Sequence, residues 1–155
     1  MELFLLTVGR LRPAFRSACD DYLTRIRRYS RVTEYEVREA SRLPAAAGRA
    51  REAEALLART PDGATLVALT REGRGWSSAE LAQEVGKWRR AAGPVAFAIG
   101  GSEGLAQDVL ERAQARWSLG PLTLPHELAR VVVCEQLYRA FTILAGTPYH
   151  KPSTA

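Results

Sequence analysis

His126 and Arg130 stand four residues apart in "PHELARVVVCEQLYRAF", a spacing that puts both on one side of a helix. An imidazole takes up a proton near neutral pH, and a guanidinium holds a phosphate or a developing negative charge, so the pair offers proton transfer beside anion binding. Arg139 follows on the same stretch, and Tyr149 and His150 lie just beyond it in "TPYHK". The chain's two histidines therefore bracket one block, and these groups can act together only if the tail folds back. A second candidate is "VAFAIGGSEGL", where an apolar run stops at Gly100 and Gly101 before a helical pattern begins. Open α/β sheets receive ligands at the carboxyl ends of strands, where bare backbone can approach them. The same glycines also suit a plain tight turn.

Several chemistries are disfavoured. Gly-Gly-x-x-Gly is not the dinucleotide fingerprint, and no Lys-Ser or Lys-Thr follows it to make a phosphate loop. No metal-ligand spacing and no nucleophile elbow occur, so no metal is expected. Ser102 is placed to cap the helix that follows, with Glu103 favouring its positive end.

The chain has 155 residues, 46% hydrophobic and 25% charged, which suits one domain over 1–155 with 146–155 as a C-terminal tail. Its apolar runs are too short to span a membrane. The start, "MELFLLTVGRLR", lacks a basic opening and a cleavage site and reads as a first strand. Cys19 and Cys134, far apart in sequence, fit a reducing cytoplasm better than a disulfide scaffold. Of 22 basic residues only Lys87 and Lys151 are lysine, within a net charge of +5. Arginine suits phosphate contact and base stacking, which points to nucleic acid; arginine-rich genome composition explains the same count.

The elements that must position these groups follow from periodicity. Strands are expected at 2–8, 32–37, 64–69 and 95–99, and helices at 13–29, 45–59, 78–90, 105–116 and from Pro125 to about 145. Ser77 and Glu80 form a capping box ahead of the third helix. Alternating strands and helices, with continuous apolar strands, predict an α/β sandwich with a mostly parallel sheet covered on both faces. In the last helix Leu128, Val131, Val132, Tyr138, Phe141 and Leu144 make one apolar face, widened by Val133, Leu137, Ala140 and Ile143. So little polar surface remains that a subunit interface is expected.

"LTREGRGWSS", "FAIGGSEGL", "WSLGPLTLPHELARVVVCEQLYRAF" and the terminal "PYHK", together with "TVGRLR" and "DYLTRIRRY", resemble the ribosomal RNA large subunit methyltransferase H family of the SPOUT superfamily. The resemblance covers essentially the whole chain. It implies a SPOUT-type α/β fold with a C-terminal trefoil knot, a homodimer, and S-adenosylmethionine as methyl donor. The substrate implied is N3 of a pseudouridine in 23S ribosomal RNA, within the assembled ribosome. By motif, the cofactor residues would be Leu69, Gly100, Leu119, Gly120, Pro121, Leu122, Thr123 and Leu124. This chain departs from similar sequences in Gly120-Pro121 and in four residues, "PSTA", after Lys151.

N3 of pseudouridine is an imide nitrogen that carries a proton at neutral pH, so methylation needs alignment and a proton acceptor. His126 or His150 is the expected base, Arg130 and Arg139 the anion binders, and Tyr149 a stacking or hydrogen-bonding group. Two rival readings stand beside this one. The first is a basic dimeric RNA-binding module without chemistry, which has no need of a cofactor cleft. The second is a flavodoxin-like nucleotide enzyme, whose phosphate loop should follow the first strand, yet "TVGRLRPAF" offers one glycine and no Ser/Thr cluster.

Overall fold

A computed structural model describes residues 1–150, the last of these by backbone alone. Apolar β-branched and leucine-rich runs form five parallel strands: β1 (Glu2–Val8), β2 (Arg31–Val37), β3 (Thr65–Arg74), β4 (Val95–Ile99) and β5 (Ala115–Trp117). Their order is β2-β1-β4-β3-β5, with Leu5 level with both Glu34 and Phe97, and Val67 level with both Phe97 and Ala115. β4, buried along its whole length, lies at the centre.

Alternation along the strands divides the core. Leu3, Leu5, Val67, Val95, Phe97 and Ile99 face one layer, built from α1 (Pro13–Ile26), α3 (Ser78–Ala91) and α5 (His126–Ala145). Leu6, Val8, Leu66, Ala68, Ala96 and Ala98 face the other, built from α2 (Ala45–Ala58) and α4 (Gln107–Arg112). The capping box on α3 is present: the Ser77 hydroxyl accepts from Glu80 N, and Ser77 N donates to the Glu80 carboxylate. Pro125 occupies the N-cap of α5. No helix of the described residues is long and apolar enough to cross a membrane.

Three expectations need correction. The helix expected at 105–116 is only α4, and "ARW" after it is the edge strand β5. There Gln114 N donates to Leu66 O (2.9 Å) and the Gln114 side-chain oxygen accepts from Leu66 N (2.6 Å), so sheet pairing overrides helical tendency. Ser102 caps nothing. The N-cap of α4 is Ala106, without a side-chain bond, and the Ser102 hydroxyl donates to the Glu39 carboxylate at 3.0 Å. On α5 the inward stripe is Arg130, Val133, Cys134, Leu137, Ala140 and Phe141, while Leu128 stays 37% exposed. A helix apolar nearly all round carries too weak a periodic signal to rank its faces.

β3 also runs on past its expected end at Leu69, and curls. Trp117 is in register with both Leu69 and Arg74, and Ser118 N donates to Arg74 O at 2.9 Å. A Cβ at Gly73 would stand 2.7 Å from the backbone of Arg116 and Trp117. Residues 69–74 therefore wrap closely around the chain at Trp117, and only glycine allows that approach.

Candidate active site

Where β3 and β4 end, the chain leaves an open, mainly apolar cleft. Leu69, Gly100, Leu119, Gly120, Leu122, Thr123 and Leu124 line it, with His126 and Ala129 of α5 at one side and Arg71 at another. Leu122 is 76% exposed, which places a large apolar side chain in solvent at the cleft wall. Trp117 forms the floor, packed against Trp76 (6.0 Å) and Phe97 (6.2 Å). Pro121 is exposed and is not among the cleft-lining residues.

The glycine pair has an internal reason for lacking side chains. A Cβ on Gly100 would stand 2.6 Å from the backbone carbon of Gly104, and one on Gly101 would stand 3.0 Å from Val8 Cγ1. Gly104 N donates to Gly101 O at 3.1 Å, closing the turn. The turn must be tight before any ligand is considered. Its consequence for a ligand is a low backbone wall on one side of the cleft.

Arg130, expected to bind an anion, is 1% exposed. Its Nη2 donates to Val8 O (3.0 Å) and Gly9 O (2.9 Å), and its Nη1 donates to Glu36 Oε2 (2.6 Å), with Glu34 at 3.8 Å. It joins α5 to the carboxyl ends of β1 and β2 and does not reach solvent. Arg130 Nε and Glu34 Oε2 are buried without hydrogen-bond partners among the described residues. Near it, Glu127 accepts from Arg12 N (2.7 Å) and Arg12 Nε (2.8 Å). The Arg12 backbone N–H holds the Glu127 carboxyl below the usual carboxylate range.

Tyr149 does fold back, but onto the far half of α5. Tyr149 stacks edge-on against Tyr138 (4.6 Å) and its hydroxyl donates to Glu135 Oε1 (3.1 Å). Arg139 donates twice to the same Glu135 oxygen and lies over the Tyr149 ring at 5.1 Å. Burial and the Glu135 carboxylate push the Tyr149 hydroxyl well above its ordinary value, so it acts as a donor. Hydrogen bonding to Glu135 likewise raises Arg139. At about 1.5 Å per residue, His126 and Arg139 stand about 20 Å apart along the helix. One chain therefore does not unite His126 with Arg139 and Tyr149. The His150 side chain and residues 151–155 lie outside the described residues.

Cys19 and Cys134 are buried free thiols in the layer between α1 and α5. Hydrogen bonding to Cys19, together with burial, pushes the Cys134 thiol up. No group of three or more His, Cys, Asp or Glu residues that could hold a metal occurs among the described residues.

Gly73, Trp117 and Ser118 were not singled out by sequence reasoning as site residues. For Gly73 the available signal is the polar "TREGRG" run directly after the apolar strand; Trp117 and Ser118 carry no local signal of their own.

Compared with known proteins, residues 1–150 match the family described as predicted SPOUT methyltransferase. A Rubrobacter xylanophilus protein named ribosomal RNA large subunit methyltransferase H is 50% identical over 156 residues, covering 94% of this chain and 96% of its own. A Pseudomonas aeruginosa protein of the same name is 54% identical over 100 residues, and the match spans 64% of each chain. A probable methylase family protein from Haemophilus influenzae shares the fold, with a TM-score of 0.55, 18% identity, and coverage of 99% of this chain and 72% of that one.

Proposed function

The chain belongs to the SPOUT methyltransferase family, and from that premise we propose that it methylates large-subunit ribosomal RNA at N3 of a pseudouridine in 23S rRNA, acting on the assembled ribosome. The methyl donor in this reading is S-adenosylmethionine, which supplies an electrophilic sulfonium methyl group when bound. The observation that carries it is the convergence of Leu69, Gly100, Leu119, Gly120, Leu122, Thr123 and Leu124 on one cleft with His126 at its rim. The adenine of such a donor is flat, uncharged and rich in hydrogen-bonding edges. The bare backbone at Gly100, Gly101 and Gly120 and the apolar walls at Leu69, Leu122 and Leu124 fit such a group without a phosphate loop.

His126 then stands beside the transferred group and is the proton acceptor that one chain can offer at the cleft. With the donor bound, the pseudouridine N3 would form a bond to the methyl carbon as the sulfur–methyl bond breaks and the thioether S-adenosylhomocysteine leaves, the N3 proton passing to that base or to His150. Arg130 positions the cleft, because it holds α5 to the ends of β1 and β2. Arg139 and Tyr149, remote in their own chain, enter the site of a second copy. That is why the active form is a homodimer, with the half-exposed Leu128 and Val132 edge of α5 at its interface.

The wrapping of 69–74 around Trp117 supports a C-terminal trefoil knot, in which the chain from 118 onward has passed through that loop. The protein works in the cytoplasm, where ribosomes and reduced thiols such as Cys19 and Cys134 are found.

The test is to incubate the protein and labelled S-adenosylmethionine with 70S ribosomes, free large subunits and naked rRNA, then map any methyl group. Labelling of one pseudouridine on the ribosome is expected. Binding to ribosomes with no transfer to any of the three would leave an RNA-binding module instead.

A further inference from the structure

All five parallel strands end on one side of the molecule, and that side carries more than the cleft. Arg71 lies in the curled carboxyl-terminal part of β3, Arg10 just after β1 and Arg38 just after β2. Because the order is β2-β1-β4-β3, Arg38, Arg10, the Gly100-Gly101 turn and Arg71 are set in a row along the carboxyl edge. Strands lie about 4.8 Å apart, so β2 is about 10 Å from β4.

Beyond β2 the row opens into a groove of about 590 Å³, lined by Arg38, Arg42, Leu43 and Arg51, between residues 38–43 and α2. The groove is held in shape from within. Glu52, 7% exposed, accepts from Ala40 N at 2.9 Å, and a Cβ at Gly48 would stand 2.9 Å from Ala40 O, so α2 lies directly against the loop backbone. Arg38, Arg42 and Arg51 are exposed and take part in none of the ion pairs found among the described residues. Glu39 also lines the groove, its carboxylate accepting from the Ser102 hydroxyl, and against its single negative charge the three arginines leave the lining net basic.

Concave basic surface of this kind concentrates a polyanion, and the arginine fork matches phosphate oxygens. A strand of nucleic acid lying there runs along the same edge that carries the cleft. A base turned out for chemistry needs its flanking backbone held in register, which phosphate contacts provide. An acidic peptide would gain no such continuity with the cleft.

We propose that Arg38, Arg42 and Arg51 grip the sugar-phosphate backbone of the substrate RNA beside the nucleotide that enters the cleft. This rests on the RNA methyltransferase reading above. The test compares R38A/R42A/R51A with a control, R27A/R89A/R90A, which removes three exposed arginines from the opposite, amino end of the sheet. Binding to ribosomes is measured across about 50 to 200 mM salt. Unchanged thermal midpoints and calorimetric S-adenosylmethionine binding show that both variants fold. The groove variant is expected to bind at least tenfold more weakly at low salt. Its slope of log affinity against log salt should be shallower by about 2, at roughly 0.7 for each phosphate that an arginine no longer neutralises. KM for RNA should rise while kcat at saturating RNA is kept, and the control should match wild type. Wild-type affinity and slope in the groove variant would overturn the proposal, as would equal losses in both variants or equally tight binding of polyglutamate. Wild-type protein that binds RNA through the groove yet transfers no methyl group would sink the enzymatic reading and leave the groove standing.

Discussion

Arg130 shows how much of a residue's surroundings its spacing leaves open. Its spacing from His126 was visible in the sequence, yet the side chain is buried among the carbonyls of Val8 and Gly9 and the carboxylate of Glu36. Removing Arg130 leaves those carbonyls without their donor, while the exposed Glu36 keeps Arg16 at 3.2 Å, so the cost is about 1 to 3 kcal/mol. Arg130→Ala should therefore lose about that much in urea unfolding, and Arg130→Lys, which keeps the charge but not the fork, should recover only part of it. Gly100→Ala is argued at the same scale. Its Cβ would stand 2.6 Å from Gly104, so the turn must shift, and loss of calorimetric donor binding is expected with a lowered thermal midpoint. Unaltered binding by that variant would show that the turn is not the donor's wall. The glycines themselves were legible in the sequence. What presses on them was not, because Gly104 and Val8 reach them only through the turn and the sheet.

At the scale of elements, four strands and five helices could be placed from apolar periodicity and the Ser77–Glu80 capping box. β5 escaped because three residues are too few to show a period, and its identity rests on partners in β3. The curl of β3 escaped for the same reason. Gly73→Ala should destabilise the fold sharply, since the new carbon meets backbone that cannot yield on either side; a wild-type melting curve would refute the wrapping. The clasp of Glu127 on Arg12 ties the loop after β1 to the start of α5. Its carboxyl is held below the ordinary value of 4.5, so its stabilising contribution is full above that pH and is lost as pH falls through the lower folded value. Glu127→Gln should thus be less stable than wild type at neutral pH. The gap should close as pH falls through the lowered folded value, and a gap that persists once the carboxyl is protonated would show that charge is not its source.

For the whole molecule, the separation of His126 from Arg139 and Tyr149 is the decisive geometry. If a second copy brings the tail to the cleft, His126→Ala and a chain ending at Gly146 should each be inactive alone. Their mixture should regain measurable methyl transfer, because mixed dimers hold one intact site. No recovery from a mixture shown by sedimentation to contain mixed dimers would confine the chemistry to one chain. Val132→Glu should favour the monomer in sedimentation and lower activity with it, since a buried unpaired charge is costly at an apolar contact.

The sequence by itself determined the parallel α/β class, the strand ends at which the cleft opens, and the residue types available for proton transfer and anion contact. Local periodicity and short motifs encode these, because neighbouring residues decide them. Only the tertiary structure decided which arginines are buried and which are free, that residues 69–74 wrap Trp117, and that the folded-back Tyr149 lies far from its own cleft. Those outcomes depend on backbone from distant segments meeting within a few ångströms, and no stretch of chain records the position of a partner it meets only after folding.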